Sequence, residues 1–176
     1  MTKYDCSAAD LNPIGGINKN DLKRFLLWTA ENYNYKSLVG VVNAAPTAEL
    51  KPFTEGEEET KQTDEEDMGM TYAELYEFGK LRKEDKCGPV SMFERLIVKW
   101  RHLKPKEVAE KVKRFFFYYS RNRHKMTILT PSYHAEAYGT DDNRYDLRQF
   151  LYNSDWTFQF KKMDRLVEEI ETMQKE

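Results

Sequence analysis

Met92, Phe93, Leu96, Ile97 and Trp100 recur at the three-and-four spacing of one helical face. Gly88-Pro89 stands just ahead of them, and proline suits the first position of a helix because its missing N–H costs nothing there. The same logic predicts a helix from Lys104-Pro105, with Val108, Val112, Phe115, Phe116 and Tyr119 inward and Lys106, Lys111, Lys113 and Arg114 outward. A third helix, over about 161–174, buries Met163, Leu166, Val167, Ile170 and Met173. Nearer the start, Leu22, Phe25, Leu26 and Thr29 share a face, with Asn20 as the expected cap and Asp21 in the first turn. A short apolar element covers Ser37 to Val42 and ends before Pro46. Residues 1–18 read as irregular, with a short extended piece at Leu11–Ile14. Residues 122–160 read as irregular and aromatic.

Between Pro46 and Thr71 the pattern is polar. Residues 48–67 form a loop of about twenty residues, a length associated with mobile lids and binding loops. Residues 55–67 carry eight acids against Lys61 alone. At the loop's exit Thr71 and Glu74 have capping-box spacing, with Met70 and Leu75 placed as a hydrophobic staple. Acids just ahead of a helix start also suit the positive end of its dipole.

Composition bounds the class. A chain of 176 residues with 40% hydrophobic and 14% aromatic content can bury a core. The net charge of −2 hides an asymmetry, because residues 95–125 carry eleven Lys or Arg against Glu107 and Glu110. Such a face is a candidate polyanion footprint, although the pI near 6.0 and the lack of a nucleic-acid motif weigh against it. Cys6 and Cys87 make neither a metal spacing nor a disulfide framework, and the expected compartment is reducing and cytoplasmic. No apolar run reaches the length of a membrane span, so no membrane partner is expected.

Phosphate loops of the GxxxxGK[ST] type, GxGxxG, GxSxG and HExxH are absent from the sequence. His102, His124 and His134 are too scattered for a metal site, and neither cysteine has an evident base partner. No catalytic residue and no metal ligand is therefore assigned. Three local features remain. "NRHKMT" gathers cations around His124 and Lys125; "APTAEL" offers the Thr47 hydroxyl; "DLNPIGGINK" brackets a turn between Asp10 and Lys19.

Together with "TKYDCSAADLNPIGGINKNDL", "QTDEEDMGMTYAEL" and "VKRFFFYYSRNRHKMTILTPSYHAEAY", these stretches resemble the carboxyl-terminal part of eukaryotic-type glutamine-dependent NAD⁺ synthetases. The resemblance runs from Thr2 to about Phe160. It implies an α/β Rossmann-like fold of the ATP-pyrophosphatase kind. This chain would be its mostly α-helical C-terminal portion, with at most a short edge strand: residues 1–160 as part of the synthetase domain and 161–176 as a C-terminal helix. It implies a ligase that amidates deamido-NAD⁺ with ATP through an acyl-adenylate, using ammonia from glutamine. By the same resemblance Lys19 and Thr47 meet ATP, and Lys3, Asp10, His124 and Lys125 meet deamido-NAD⁺. The acidic loop corresponds to a mobile loop that orders over the bound nucleotides.

The family's SGGxDS loop, its Mg²⁺-binding carboxylate and its glutaminase domain are expected upstream of these residues. The expected partner is accordingly an amino-terminal portion of the synthetase, in a homo-oligomer, and the isolated chain is expected to be inactive. The acidic loop is longer than the usual family version, and Gln149 stands where the family has proline. The alternative expectation is a non-catalytic fragment, or an interaction module using the basic surface at 95–125.

Overall fold

The computed structural model describes residues 10–44, 65, 68–123, 132–134 and 153–174. Their elements are β1 (Asn12–Gly15), α1 (Lys19–Asn32), α2 (Ser37–Asn43), α3 (Tyr72–Lys83), α4 (Pro89–Lys99), α5 (Pro105–Arg121), β2 (Ser132–His134) and α6 (Thr157–Met173). They divide into two compact units: Met1–Gly16 with Tyr76–Glu176, and Ile17–Leu75.

In the first unit α4, α5 and α6 pack together. Met92, Phe93 and Leu96 of α4, Val108, Val112 and Phe116 of α5, and Met163 of α6 are fully buried. Burying each such side chain is worth about 1.5–3 kcal/mol, so this cluster is the main source of the unit's stability. Phe78 of α3 joins it, stacked on Phe115 at 4.9 Å and edge-on to Trp100 at 5.4 Å. Both proline-started helices form as their sequences require. The Gly88 N–H donates to Ser91 Oγ at 3.0 Å, and the Lys104 N–H donates to Glu107 Oε2 at 3.0 Å. These bonds satisfy backbone donors ahead of each helix.

Among the described residues the β content is a pair of short parallel strands. Asn12 lies opposite Ser132 and Gly15 opposite His134, with an irregularity between them. Parallel neighbours need a crossover, and here α1 to α5 intervene in sequence. The extended piece expected at Leu11–Ile14 is therefore β1, shifted by one residue. Gly16 turns the chain out of β1 at φ 82°, a conformation that favours glycine.

Three sequence expectations change. The cap of α1 is Asn18 rather than Asn20: its side chain accepts the Asp21 N–H at 3.0 Å, and Lys19 becomes the first helical residue. The last helix begins at Thr157, four residues ahead of the expected start, because Trp156 is pinned to α5. Met173, expected inward, is 66% exposed at the helix end.

In the second unit α1 packs on α2, and Ala30 is the one buried residue of α1 among those described. Phe25, Trp28, Tyr33 and Tyr35 are exposed and form a ladder of ring contacts 5.9–6.3 Å apart.

Candidate functional site

Six residues carry the expected substrate contacts, and two of them, Asp10 and Lys19, are described. Lys3, Thr47, His124 and Lys125 lie outside the described residues, as does the acidic loop apart from Glu65.

Lys19 is placed by the start of α1. Asn18 closes the helix start through its bond from the Asp21 N–H and a second, short bond from its own amide to the Asp21 carboxylate. Arg24 pairs with the other Asp21 oxygen at 3.1 Å. Asp21 is thus engaged on both sides, and Lys19 reaches away to Tyr72. Its Nζ sits 5.3 Å from the centre of the Tyr72 ring. That is within cation–π range.

Tyr72 is itself held at the start of α3. The capping box expected there is present: the Thr71 N–H donates to Glu74 Oε2 at 3.0 Å, and the Glu74 N–H donates to Thr71 Oγ1 at 3.1 Å. Met70 and Leu75 are both buried, as a staple requires. The acidic run supplies two more bonds. Glu65 Oε1 accepts the Tyr72 N–H at 2.7 Å, and its carbonyl accepts the Met70 N–H at 3.3 Å. A carboxylate on a helix-start N–H is favoured by charge as well as by hydrogen bonding. Glu65, Tyr72 and Lys19 therefore form a connected set within the second unit.

Asp10 belongs to the first unit, exposed and two residues ahead of β1. The strand beside β1 is β2, which follows the segment carrying His124 and Lys125. The end of α5 is firmly held. Ser120, fully buried, accepts the Trp156 Nε1–H at 2.8 Å and donates to the Phe116 carbonyl at 2.7 Å. Arg123 is 2% exposed, with its guanidinium donating to the Tyr119 hydroxyl at 3.3 Å. Arg82 lies over the same Tyr119 ring at 5.1 Å and donates to the Cys87 carbonyl at 3.1 Å. The two arginines at the end of α5 are therefore not alike: Arg123, in "NRHKMT", is built into the core, whereas Arg121, just ahead of that motif, lies outside on Phe117.

Part of the basic stretch is neutralised within the chain. Arg95 pairs with Asp85 at 2.7 Å, Lys99 with Glu77 at 2.6 Å, and Lys113 with Asp164 at 2.6 Å and Glu110 at 3.2 Å. Burial lowers the Lys113 pKa, but the hydrogen bonds and charges of Asp164 and Glu110 outweigh it and raise the group above the usual 10.5. Lysines engaged this way are weak candidates for gripping a polyanion.

Sequence reasoning missed Tyr72, which a helix-start motif treats as an ordinary first residue. Its signal was positional, a ring directly after a cap and an acidic run. Arg123 was missed as an anchor because adjacent cations look alike without burial. Among the described residues no group of three or more His, Cys, Asp or Glu side chains could hold a metal ion. No described helix is long and apolar enough to cross a membrane.

A family model for NAD synthase matches residues 1–129. The chain belongs to the NAD synthase family. It is 63% identical over 167 residues to the glutamine-dependent NAD(+) synthetase of Dictyostelium discoideum, covering 95% of this chain and 23% of that protein. To the human glutamine-dependent NAD(+) synthetase it is 55% identical over 172 residues, 97% of this chain and 24% of that protein. The chain therefore spans about a quarter of the length of these relatives. The crystal structure of a glutamine-dependent NAD(+) synthetase from Cytophaga hutchinsonii matches with a TM-score of 0.59 and 20% identity, over 90% of this chain and 23% of that one. That likeness supports the fold: a mostly helical portion of the family's α/β domain.

Proposed function

We propose that this chain forms part of the substrate-binding half of a synthetase domain that makes NAD⁺ from deamido-NAD⁺, working with an amino-terminal portion that supplies the phosphate loop. The observation that carries the reading is the NAD synthase match over residues 1–129. In the reaction the nicotinate carboxylate attacks the α-phosphorus of ATP, giving an acyl-adenylate and releasing pyrophosphate. Ammonia, drawn from glutamine in a complete enzyme, then attacks the acyl carbon and expels AMP.

Both substrates are anionic, and charge builds on the leaving pyrophosphate. Cations aimed at that charge are the expected catalysts. Lys19, half-buried at the start of α1, suits the ATP phosphates, and the Thr47 hydroxyl would add a second ATP contact. Lys3, Asp10, His124 and Lys125 would hold deamido-NAD⁺, with the basic side chains on its phosphates or carboxylate and Asp10 on its donors. The described donors do not fit a Mg²⁺ site, so no step is assigned to a metal on these residues. A cytoplasmic location and a homo-oligomeric assembly complete the proposal.

The test is NAD⁺ formation from deamido-NAD⁺, ATP, Mg²⁺ and ammonium, with the purified chain alone and with a co-expressed amino-terminal portion. Product only in the second case supports the reading. Product from the chain alone would overturn the claim that the phosphate loop comes from elsewhere, and no product in either case would refute the catalytic role.

A further inference from the structure

Lys19 carries its charge on a flexible four-carbon stem, and an unheld ammonium samples many rotamers at a cost to any ligand that must fix it. Here it is not unheld. Its Nζ rests 5.3 Å from the Tyr72 ring centre. The ring in turn is the first residue of α3, behind the Thr71–Glu74 capping box, with its N–H bonded to Glu65 at 2.7 Å. Lysine and tyrosine come from the starts of two different helices, and both starts are closed by side-chain caps. The exit of the acidic run, the start of α3 and the Lys19 ammonium are therefore linked in that order.

We propose that Tyr72 is a positioning residue: its ring sets the Lys19 ammonium for an anionic ligand, and Glu65 links that setting to the exit of the acidic run. The ligand is the phosphate chain of ATP, a step that rests on the proposed function above. Tyr72 touches no reacting atom in this scheme. It acts by reducing the freedom that Lys19 would lose on binding, so its removal weakens affinity more than turnover.

The test has two readouts. In the chain with ¹³C-labelled lysine, the Lys19 ε-methylene signal is identified by its loss in Lys19→Arg. A ring at this distance shifts that signal upfield of the other lysines. Tyr72→Phe keeps the shift, and Tyr72→Leu returns the signal to the bulk position. An unchanged signal in Tyr72→Leu would overturn the contact.

The second readout is the KM for ATP with the amino-terminal portion present. Tyr72→Leu raises it about two- to fivefold, the range of a partly exposed cation–π contact, with kcat held, and Tyr72→Phe restores most of the affinity. If Lys19→Ala raises KM but Tyr72→Leu does not, or lowers only kcat, the positioning role is overturned. If Lys19→Ala itself leaves KM unchanged, the ATP assignment of Lys19 is what fails, and the spectroscopic result stands apart from it.

Discussion

Replacing Trp156 with phenylalanine separates the clamp between α5 and α6 from simple apolar packing. The indole Nε1–H donates to Ser120 Oγ at 2.8 Å, and its ring meets Phe116 edge-on at 5.2 Å. Ser120 is fully buried and spends its own proton on the Phe116 carbonyl at 2.7 Å. Phenylalanine keeps most of the ring but leaves the Ser120 oxygen short of a donor, at about 1–3 kcal/mol. Ser120→Ala makes the complementary defect by stranding the indole N–H, at a similar cost. Removing both partners leaves two apolar groups facing each other, and such a pair can be nearly neutral. The double variant is therefore expected to lose less than the sum of the singles, by about 1 kcal/mol. Each single loss corresponds to about 3–9 °C in Tm for a chain of this size. Urea unfolding followed by far-UV circular dichroism measures all four states, and an unchanged slope confirms that the same surface is exposed. Strict additivity of the singles would refute the clamp, and a neutral Trp156→Phe would refute the reasoning about the buried Ser120 oxygen.

Thr71→Ala should cost about 1 kcal/mol through the lost cap, and Thr71→Ser should recover most of it, read as the urea midpoint. Met163→Ala should cost about 2–5 kcal/mol, because Met163 is fully buried among α4, α5 and α6; a loss under about 1 kcal/mol would contradict that packing. The Lys113 triad predicts a pH effect. Its pKa is raised in the fold, so its contribution is intact below the usual 10.5 and fades as pH rises through the higher folded value. Asp164→Asn should therefore lower stability at pH 8 by under about 1 kcal/mol, since the carboxylate is half exposed, and the gap from wild type should close at strongly alkaline pH. A gap that widens there would reverse the sign of the argument. The exposed ladder of Phe25, Trp28, Tyr33 and Tyr35 predicts concentration-dependent association. Sedimentation across a concentration series checks it, with Trp28→Lys reducing the effect.

Where local rules and tertiary packing point the same way, the sequence predicts its own structure well. Thr71-x-x-Glu74 closes α3 on itself, and Pro89 and Pro105 can begin a helix but not continue one. None of these depends on a distant partner. The cap of α1 shows how close the competition can be. Asn18 and Asn20 stand two residues apart, and either can cap. Asn18 wins because Asp21 is three residues on, offering both an N–H to accept and a carboxylate for the amide to meet. That shift matters for the site, since it makes Lys19 the first residue of the helix rather than a loop residue.

The start of α6 shows the opposite case. "DWTFQF" alternates large rings with polar residues and reads as the end of the irregular, aromatic stretch at 122–160. Yet Trp156 adopts a left-handed backbone, φ 43°, and Thr157 begins a helix. For a residue with a large side chain that backbone costs about 1–2 kcal/mol. The indole bond to Ser120, 36 residues away in sequence, and the Phe116 contact offset it. No local window contains that information. The same limit governs the candidate site. The resemblance singled out Lys19 from a short motif, but its ring partner comes from a helix 53 positions later, joined only once both caps have closed. The motif marks the group that is proposed to meet ATP. The residues that aim it are found through distance, burial and hydrogen bonding, and Tyr72 is the clearest case in this chain.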